Sequence, residues 1–289
     1  MEVRVAKSAG FCFGVKRAVS LVYEEAEKNA GSVYTLGPII HNEIVVEDLR
    51  ARGVRIIDEE FRVPESGEVP PAGSTVVVRS HGISREMQER LEGRGYRVID
   101  ATCPFVGKIH DIVSKHSAAG RPVVIIGSPA HPEVIGIRGW VSGECAVVER
   151  PEDAQGLHFD RDVPLCVVSQ TTFNFQKFEE LVEIIKSLGY HVVVTNTICN
   201  ATKERQGEAL DLAADSDVMI VIGGRSSSNT RKLYDICKSQ CRETYYIQTP
   251  EDLAHVHIPG IAKVGITAGA STPNTLIQEV SQHVRRTEL

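Results

Sequence analysis

The chain has 289 residues, of which 42% are hydrophobic and 24% charged, with a formal net charge of −6. That length allows about two domains on a prior of ~150 residues each and a sizeable buried core, while the acidic balance gives no sign of a nucleic-acid-binding surface. The longest apolar runs, such as "PVVIIG" and "VMIVIGG", are too short to span a bilayer, and "MEVRVAKSAG" lacks the apolar region of a secretory signal. Seven cysteines in a chain without an export signal point to the cytosol, and to metal or catalytic roles rather than a disulfide framework.

In chain order, a short apolar strand precedes Cys12, and Val15, Ala18, Val19, Val22 and Ala26 then recur at helical spacing. "VYTLGPIIHNE" is a strand ending in a polar turn with His41 and Glu43. Residues 58–73 are Pro/Gly-rich and polar and read as an exposed loop. "TVVVRSHGIS" is a strand whose turn carries Arg79 and His81. "YRVIDATCP" leads to Cys103, with Pro104 at a first helical position and an amphipathic set of Phe105, Ile109, Ile112 and Val113. "PVVIIGSPAHPE" brings His131 and Glu133, and "PLCVVSQTTF" brings Thr171 and Thr172. "YHVVVTNTICN" leads to Cys199 at the start of another helix. "VMIVIGGRSSSNT" carries Arg225, Ser227, Ser228 and Asn229, and "KVGITAGAST" carries Ser271.

The segments repeat. Cys12, Cys103 and Cys199 are 91 and 96 positions apart. His41, His131 and Ser227 follow their cysteines by 29, 28 and 28 positions, and His81, Thr171 and Ser271 by 69, 68 and 72. Three α/β modules are expected, over residues 14–101, 102–195 and 196–282, each in the order strand, helix, strand, helix, strand, helix. The continuous apolar strands suit parallel sheets covered on both faces, and ligands of such sheets bind beyond the carboxyl ends of the strands, where every polar turn falls. A trefoil around a pseudo-threefold axis would aim all these turns at one central metal site, with residues 1–13 completing the sheet of the third module.

A helix N-terminus favours thiolate over thiol, the form that binds metal. Three thiolates suit either zinc or a cubane iron–sulfur cluster with one open iron, and the residues alone leave that choice open. Cys145 and Cys166 lie outside the repeat register and read as core. Cys237 and Cys241, one helical turn apart in "DICKSQC", read as a structural or incidental pair. His41, His81, His131, Thr171, Thr172, Ser227, Ser228, Asn229 and Ser271 form a donor-rich set suited to an oxyanion such as a diphosphate. Arg79 and Arg225 are the nearest guanidiniums. Glu43 and Glu133 are rival candidates for a proton donor, and the repeat does not separate them.

Together, "AGFCFGVKRAV", "LGPIIHN", "RSHG", "DATCP", "HPEV", "SQTT", "NTICNAT", "SSSNT" and "TAGAST" resemble the family of 4-hydroxy-3-methylbut-2-enyl diphosphate reductases, which act last in the non-mevalonate isoprenoid pathway. The motifs run from Ala9 to Thr272. The resemblance implies a three-module trefoil and a [4Fe-4S] cluster on Cys12, Cys103 and Cys199, whose unique iron takes the substrate's hydroxyl oxygen. It implies that His41, His81, His131, Ser227, Ser228, Asn229 and Ser271 hold the diphosphate. Thr171 would orient the hydroxyl group or a bound water, and Glu133 would supply the proton. The implied reaction removes the hydroxyl as water with two electrons and two protons, giving isopentenyl and dimethylallyl diphosphates. A ferredoxin or flavodoxin would deliver the electrons; no nucleotide-binding signature, nucleic-acid partner or membrane is expected. Ala130 stands where many members carry Gly, and the flanks of "SSSNTRKL" differ from the usual run. The appended RNA-binding domain of some relatives is not expected. Two rival readings, a three-cysteine metal or redox sensor and an iron–sulfur hydro-lyase, differ from the reductase in metal colour and in need for a reductant.

Overall fold

The structure is a computed structural model that describes residues 2–29, 31–256, 258 and 262–286. Strand β1 (Glu2–Val5) leads past Cys12 into α1 (Phe13–Lys28), β2 (Val33–Leu36), α2 (Glu43–Ala51), β3 (Arg55–Ile57), β4 (Thr75–Val78), α3 (Arg85–Glu92) and β5 (Arg97–Asp100). After Cys103 come α4 (Pro104–Ala118), β6 (Val123–Ile126), α5 (Pro132–Arg138), β7 (Cys145–Val148), α6 (Pro151–Gln155), β8 (Leu165–Ser169), α7 (Phe175–Ser187) and β9 (Val192–Val194). After Cys199 come α8 (Asn200–Ala214), β10 (Val218–Ile222), α9 (Ser228–Gln240), β11 (Glu243–Ile247), a 3-10 helix at Pro250–His255, β12 (Lys263–Ala268) and α10 (Asn274–Arg286).

These strands form three four-stranded sheets, ordered β3-β2-β4-β5, β7-β6-β8-β9 and β1-β12-β10-β11, with every neighbouring pair parallel. This is the α/β class of three repeated modules expected from the sequence, with one correction. Each sheet has a further edge strand (β3, β7 or β11) that the three-strand reading lacks. The strand ahead of each cysteine (β1, β5 or β9) closes the opposite edge. Thus residues 2–5 pair with β12, the last strand of the third repeat.

The chain divides into two compact units. One comprises the described residues of Met1–Lys16, His41–Glu47 and Asn200–Leu289; the other comprises Arg17–Ile40 and Asp48–Cys199. In the first unit, alternation along β10 sends Val218, Ile220 and Ile222 to one face, where Leu276, Ile277, Val280 and Val284 of α10 cover them. Met219 and Val221 point the other way, against Ala209 and Ala213 of α8 and Leu233 and Cys237 of α9. Both faces are thus buried, which is why the strand reads as an unbroken apolar run. Each fully buried aliphatic side chain contributes about 2 kcal/mol.

In the second unit, Val124, Ile126 and Val167 pack on Phe178, Leu181 and Ile185 of α7, and Ile125, Cys166 and Val168 pack on Ile109 and Val113 of α4. Val106 is the buried residue of the first turn of α4, whereas Phe105, expected on the buried face, is 44% exposed. Residues 58–73 contain no helix or strand, and most of the loop is exposed. Phe61 and Val63 nevertheless anchor it in the core with Tyr34, Val76 and Leu91.

The polar turns stand at equivalent distances from their strands. His41, His131 and Ser227 each lie five positions beyond the end of β2, β6 and β10. Two of the turns need glycine. Gly37 has φ +68°, and a Cβ there would meet Arg79 Nη1 at 2.6 Å. Gly82, just after His81, has φ +72°, and a Cβ would meet His110 Cε1 at 2.7 Å. Such backbone is costly for any residue with a side chain. Among the described residues no helix is long and apolar enough to cross a membrane.

Candidate active site

Each of the three cysteines immediately precedes a helix, α1, α4 or α8, and each is half-buried. Their backbone N–H groups repeat one bond. Cys12 N–H donates to Ala270 O (3.2 Å), Cys103 N–H to Ser80 O (2.9 Å) and Cys199 N–H to Thr171 O (3.0 Å). Each acceptor lies two positions past the end of β12, β4 or β8; Ala270 and Ser80 stand just before the repeat residues Ser271 and His81, and Thr171 is itself the repeat residue. Cys103 is the N-cap of α4 with Pro104 in the first turn, as its sequence predicts.

The other cysteines contrast with these. Cys166 is wholly buried in β8, and burial pushes its thiol up to about 11. Burial likewise raises Cys145, at the start of β7, to about 11, and Cys237 to about 12. Cys237 Sγ–H donates to Ala209 O and Cys241 Sγ–H to Asp217 O, so this pair belongs to the core of the first unit. The raised thiols of Cys145, Cys166 and Cys237 stay protonated and inert near neutral pH.

In the second unit the structure joins Glu133 to Thr171. His131 caps α5, its Nδ1 accepting from Glu133 N–H at 3.2 Å, which fixes Glu133 in the first helical turn. The Glu133 carboxylate is 2% exposed. Its Oε1 accepts from Thr171 N–H at 2.5 Å and its Oε2 from the Thr171 hydroxyl at 2.8 Å. The His81 and His131 rings meet edge to face at 5.5 Å. Thr172 Oγ1 accepts from Gln170 Nε2 at 2.9 Å, while Gln170 Oε1 accepts from Ser128 N–H at 3.2 Å. Gln170, inside the "SQTT" motif but not singled out there, thus ties the Thr171–Thr172 turn to the turn before His131.

His110 is not part of this group. It stacks on Trp140 with ring centroids 5.1 Å apart, and burial lowers its pKa to about 4, leaving it neutral at physiological pH. Arg79 packs beneath Gly37 and faces Glu59 at 3.9 Å, and burial lowers its pKa from the ordinary arginine value.

In the first unit Ser227 is the N-cap of α9, its Oγ accepting from Thr230 N–H at 3.2 Å and from the Thr230 hydroxyl at 2.9 Å. Its own hydroxyl proton remains available to an acceptor. Ser228 is half-buried and Asn229 buried. Ser271 donates its hydroxyl to His41 O at 3.0 Å. Two buried amide nitrogens, Asn229 Nδ2 and Asn42 Nδ2, have no hydrogen-bond partner among the described residues. Such groups are costly unless an acceptor arrives. Asn42 was legible as an N-cap, since Asn before a helix start takes that role, and its Oδ1 accepts from Val45 N–H at 3.1 Å.

The two candidate carboxylates separate cleanly. Glu43 is exposed and serves as a tie. It accepts from the Ser226 hydroxyl (2.8 Å), Ser226 N–H (3.4 Å) and Gln248 Nε2 (2.8 Å). Partial burial raises its pKa, but the hydrogen bonds from Ser226 and from its own backbone outweigh that and leave it below the ordinary glutamate value. A carboxyl held low in the folded state adds stability above its unfolded pKa and loses it as the pH falls through the folded value. Thermal melts from about pH 6 down to about pH 3 are therefore expected to show a steeper loss for the wild type than for Glu43→Gln. Parallel profiles would show that the tie adds nothing.

The LytB protein family model matches residues 3–285 of the chain. A 4-hydroxy-3-methylbut-2-enyl diphosphate reductase of Caldanaerobacter subterraneus subsp. tengcongensis is 45% identical over 286 residues, spanning 99% of this chain and 97% of that protein. The reductase of the same name from Aquifex aeolicus is 44% identical over 289 residues, spanning 99% and 96%. A solved structure of (E)-4-hydroxy-3-methyl-but-2-enyl diphosphate reductase, described as the terminal enzyme of the non-mevalonate pathway, aligns with TM-score 0.71 at 43% identity over 99% of both chains. The Plasmodium falciparum reductase aligns with TM-score 0.88 at 29% identity over 99% of this chain and 87% of its own. By the extent of these matches, the chain belongs to the LytB protein family.

Proposed function

We propose that the chain reduces 4-hydroxy-3-methylbut-2-enyl diphosphate to isopentenyl and dimethylallyl diphosphates, with loss of the hydroxyl group as water. The observation that carries this reading is the double hydrogen bond from Thr171 to Glu133, with the Cys199 N–H on the carbonyl of the same threonine. One residue thereby links a buried carboxylate, suited to move a proton, to a cysteine suited to hold a metal.

The donor set fits a [4Fe-4S] cluster. Cys12, Cys103 and Cys199 are half-buried thiols at helix starts in three matched positions, and three soft ligands leave one iron open. When bound, the cluster supplies electrons one at a time and an open iron for an oxygen ligand. A ferredoxin or flavodoxin donor and a cytosolic location belong to the same reading.

The chain's own residues do the rest. Once Glu133 carries a proton, the Thr171 hydroxyl turns from donating to Oε2 to accepting from it, and passes its own proton to the departing hydroxyl group. The diphosphate accepts hydrogen bonds from the Ser227 hydroxyl and from the Asn229 Nδ2–H, which has no other partner among the described residues. His41, His81, His131, Ser228 and Ser271 complete its binding, with Thr172 lining the same turn as Thr171. Ser271 gives up its bond to His41 O to do so.

An anaerobic assay with a chemical reductant and the hydroxylated diphosphate tests the reading, with iron and sulfide counted on the same sample. Brown protein with about four irons per chain is expected, turning over only when reductant is present. Turnover without reductant would replace the reading with a hydro-lyase. Colourless zinc protein would leave a metal-binding module.

A further inference from the structure

Two arginines occupy corresponding places relative to the cysteines and make corresponding bonds. Arg17 lies five positions after Cys12 in α1, and its guanidinium donates to Thr102 O (3.1 Å) and Asp100 O (3.2 Å), in the segment leading into Cys103. Arg205 lies six positions after Cys199 in α8, and its guanidinium donates to Ser8 O and Gly10 O, in the segment leading into Cys12. The Arg205 bond to Gly10 O is 2.8 Å, and the residue is 3% exposed. Glu208, one turn further along α8, accepts from Lys7 N–H (2.7 Å) and Ser8 N–H (2.8 Å), adding a second tie to the same segment.

The third place in this pattern belongs to Lys108, five positions after Cys103 in α4. Lys108 is exposed, and its side chain makes no hydrogen bond or ion pair among the described residues. The segment before Cys199 is held by other means: the Thr197 hydroxyl binds Ser169 O and accepts from Ser169 N–H at 2.8 Å.

We propose that Arg17 and Arg205 are positioning residues that hold the segments presenting Cys103 and Cys12, so that these thiols stand in place before any metal binds. A guanidinium suits the task because its planar fork spans two carbonyls on one loop, which an ammonium does not. Preorganised ligands lose less freedom on binding and release the metal more slowly. The pinned geometry is a property of the chain itself; its purpose rests on the cluster reading above.

Site-resolved alkylation of the metal-free chain, followed by mass spectrometry at a temperature well below unfolding, tests the proposal. In Arg205→Met, Cys12 is expected to react roughly tenfold or more faster, with Cys103 and Cys199 unchanged, as follows from losing a charged hydrogen bond that restrains one loop. In Arg17→Met the same gain is expected at Cys103 alone. Lys108→Met should leave all three rates as they are. Arg205→Lys should recover little of the effect. A matched core variant, Ala213→Gly, controls for general loosening of α8 and should change none of the three rates selectively. Uniform acceleration, or none at Cys12 and Cys103, would overturn the proposal. With the cluster reconstituted, iron release to a chelator should quicken in both arginine variants and not in Lys108→Met. A wild-type chain that takes up no iron would remove the cluster reading, while the alkylation pattern would still decide the positioning role.

Discussion

Glu133→Gln should lower turnover by about a hundredfold to ten-thousandfold, the range contributed by one well-placed proton donor, and leave iron content and substrate affinity near wild type. Glutamine keeps the length of the side chain and its helix position after the His131 cap. Its carbonyl still accepts from Thr171 N–H, the bond now made by Oε1. The Thr171 hydroxyl, which donates to Oε2 in the wild type, then faces an amide N–H and must turn to accept from it. Binding groups therefore survive while the acid is gone. Steady-state rates with a chemical reductant, together with substrate titration, separate these two effects. Unchanged turnover would remove Glu133 as the proton source.

The tie between Glu133 and Glu43 shows where the sequence stops being legible. Both follow a strand, a turn and a candidate polar residue, so a repeat argument treats them alike. What separates them is long-range. Glu43 is claimed by Ser226 and Gln248, 183 and 205 positions away, and Glu133 by Thr171, 38 positions away. No local periodicity encodes such bonds; only the resemblance chose between the two residues. The arginine ties of Arg17 and Arg205 were unreadable for the same reason.

The cysteines and polar turns were legible because each was stated three times, at nearly constant intervals. The edge strands were not. "RII", "CAVV" and "ETYYI" are three to five residues long and partly exposed, so neither length nor apolar continuity marks them. The apolar pair Phe105 and Val106 fits the helical period in either order, and packing places the smaller residue inside. Composition marks the 58–73 loop as exposed but does not mark Phe61, because one buried aromatic does not alter a Pro/Gly-rich average.

Cys103→Ser should hold markedly less iron than the wild type after anaerobic reconstitution, whereas Cys166→Ser should hold the wild-type amount. The two substitutions remove the same sulfur atom from different surroundings. Cys103 is a half-buried N-cap whose N–H is already tied to Ser80 O. Serine there keeps the cap and the backbone tie but offers a hard hydroxyl, a poor ligand for iron beside sulfide. Cys166 lies wholly inside the β8 core with Ile125 and Val168, and its thiol, pushed up to about 11, stays protonated. Serine at that position buries a hydroxyl and costs about 1–3 kcal/mol of stability if the hydroxyl finds no partner. Iron is therefore counted per folded chain, with a thermal melt on each sample. Equal iron in the two variants would overturn the ligand assignment. Full iron in Cys103→Ser alone would move the third ligand to another residue.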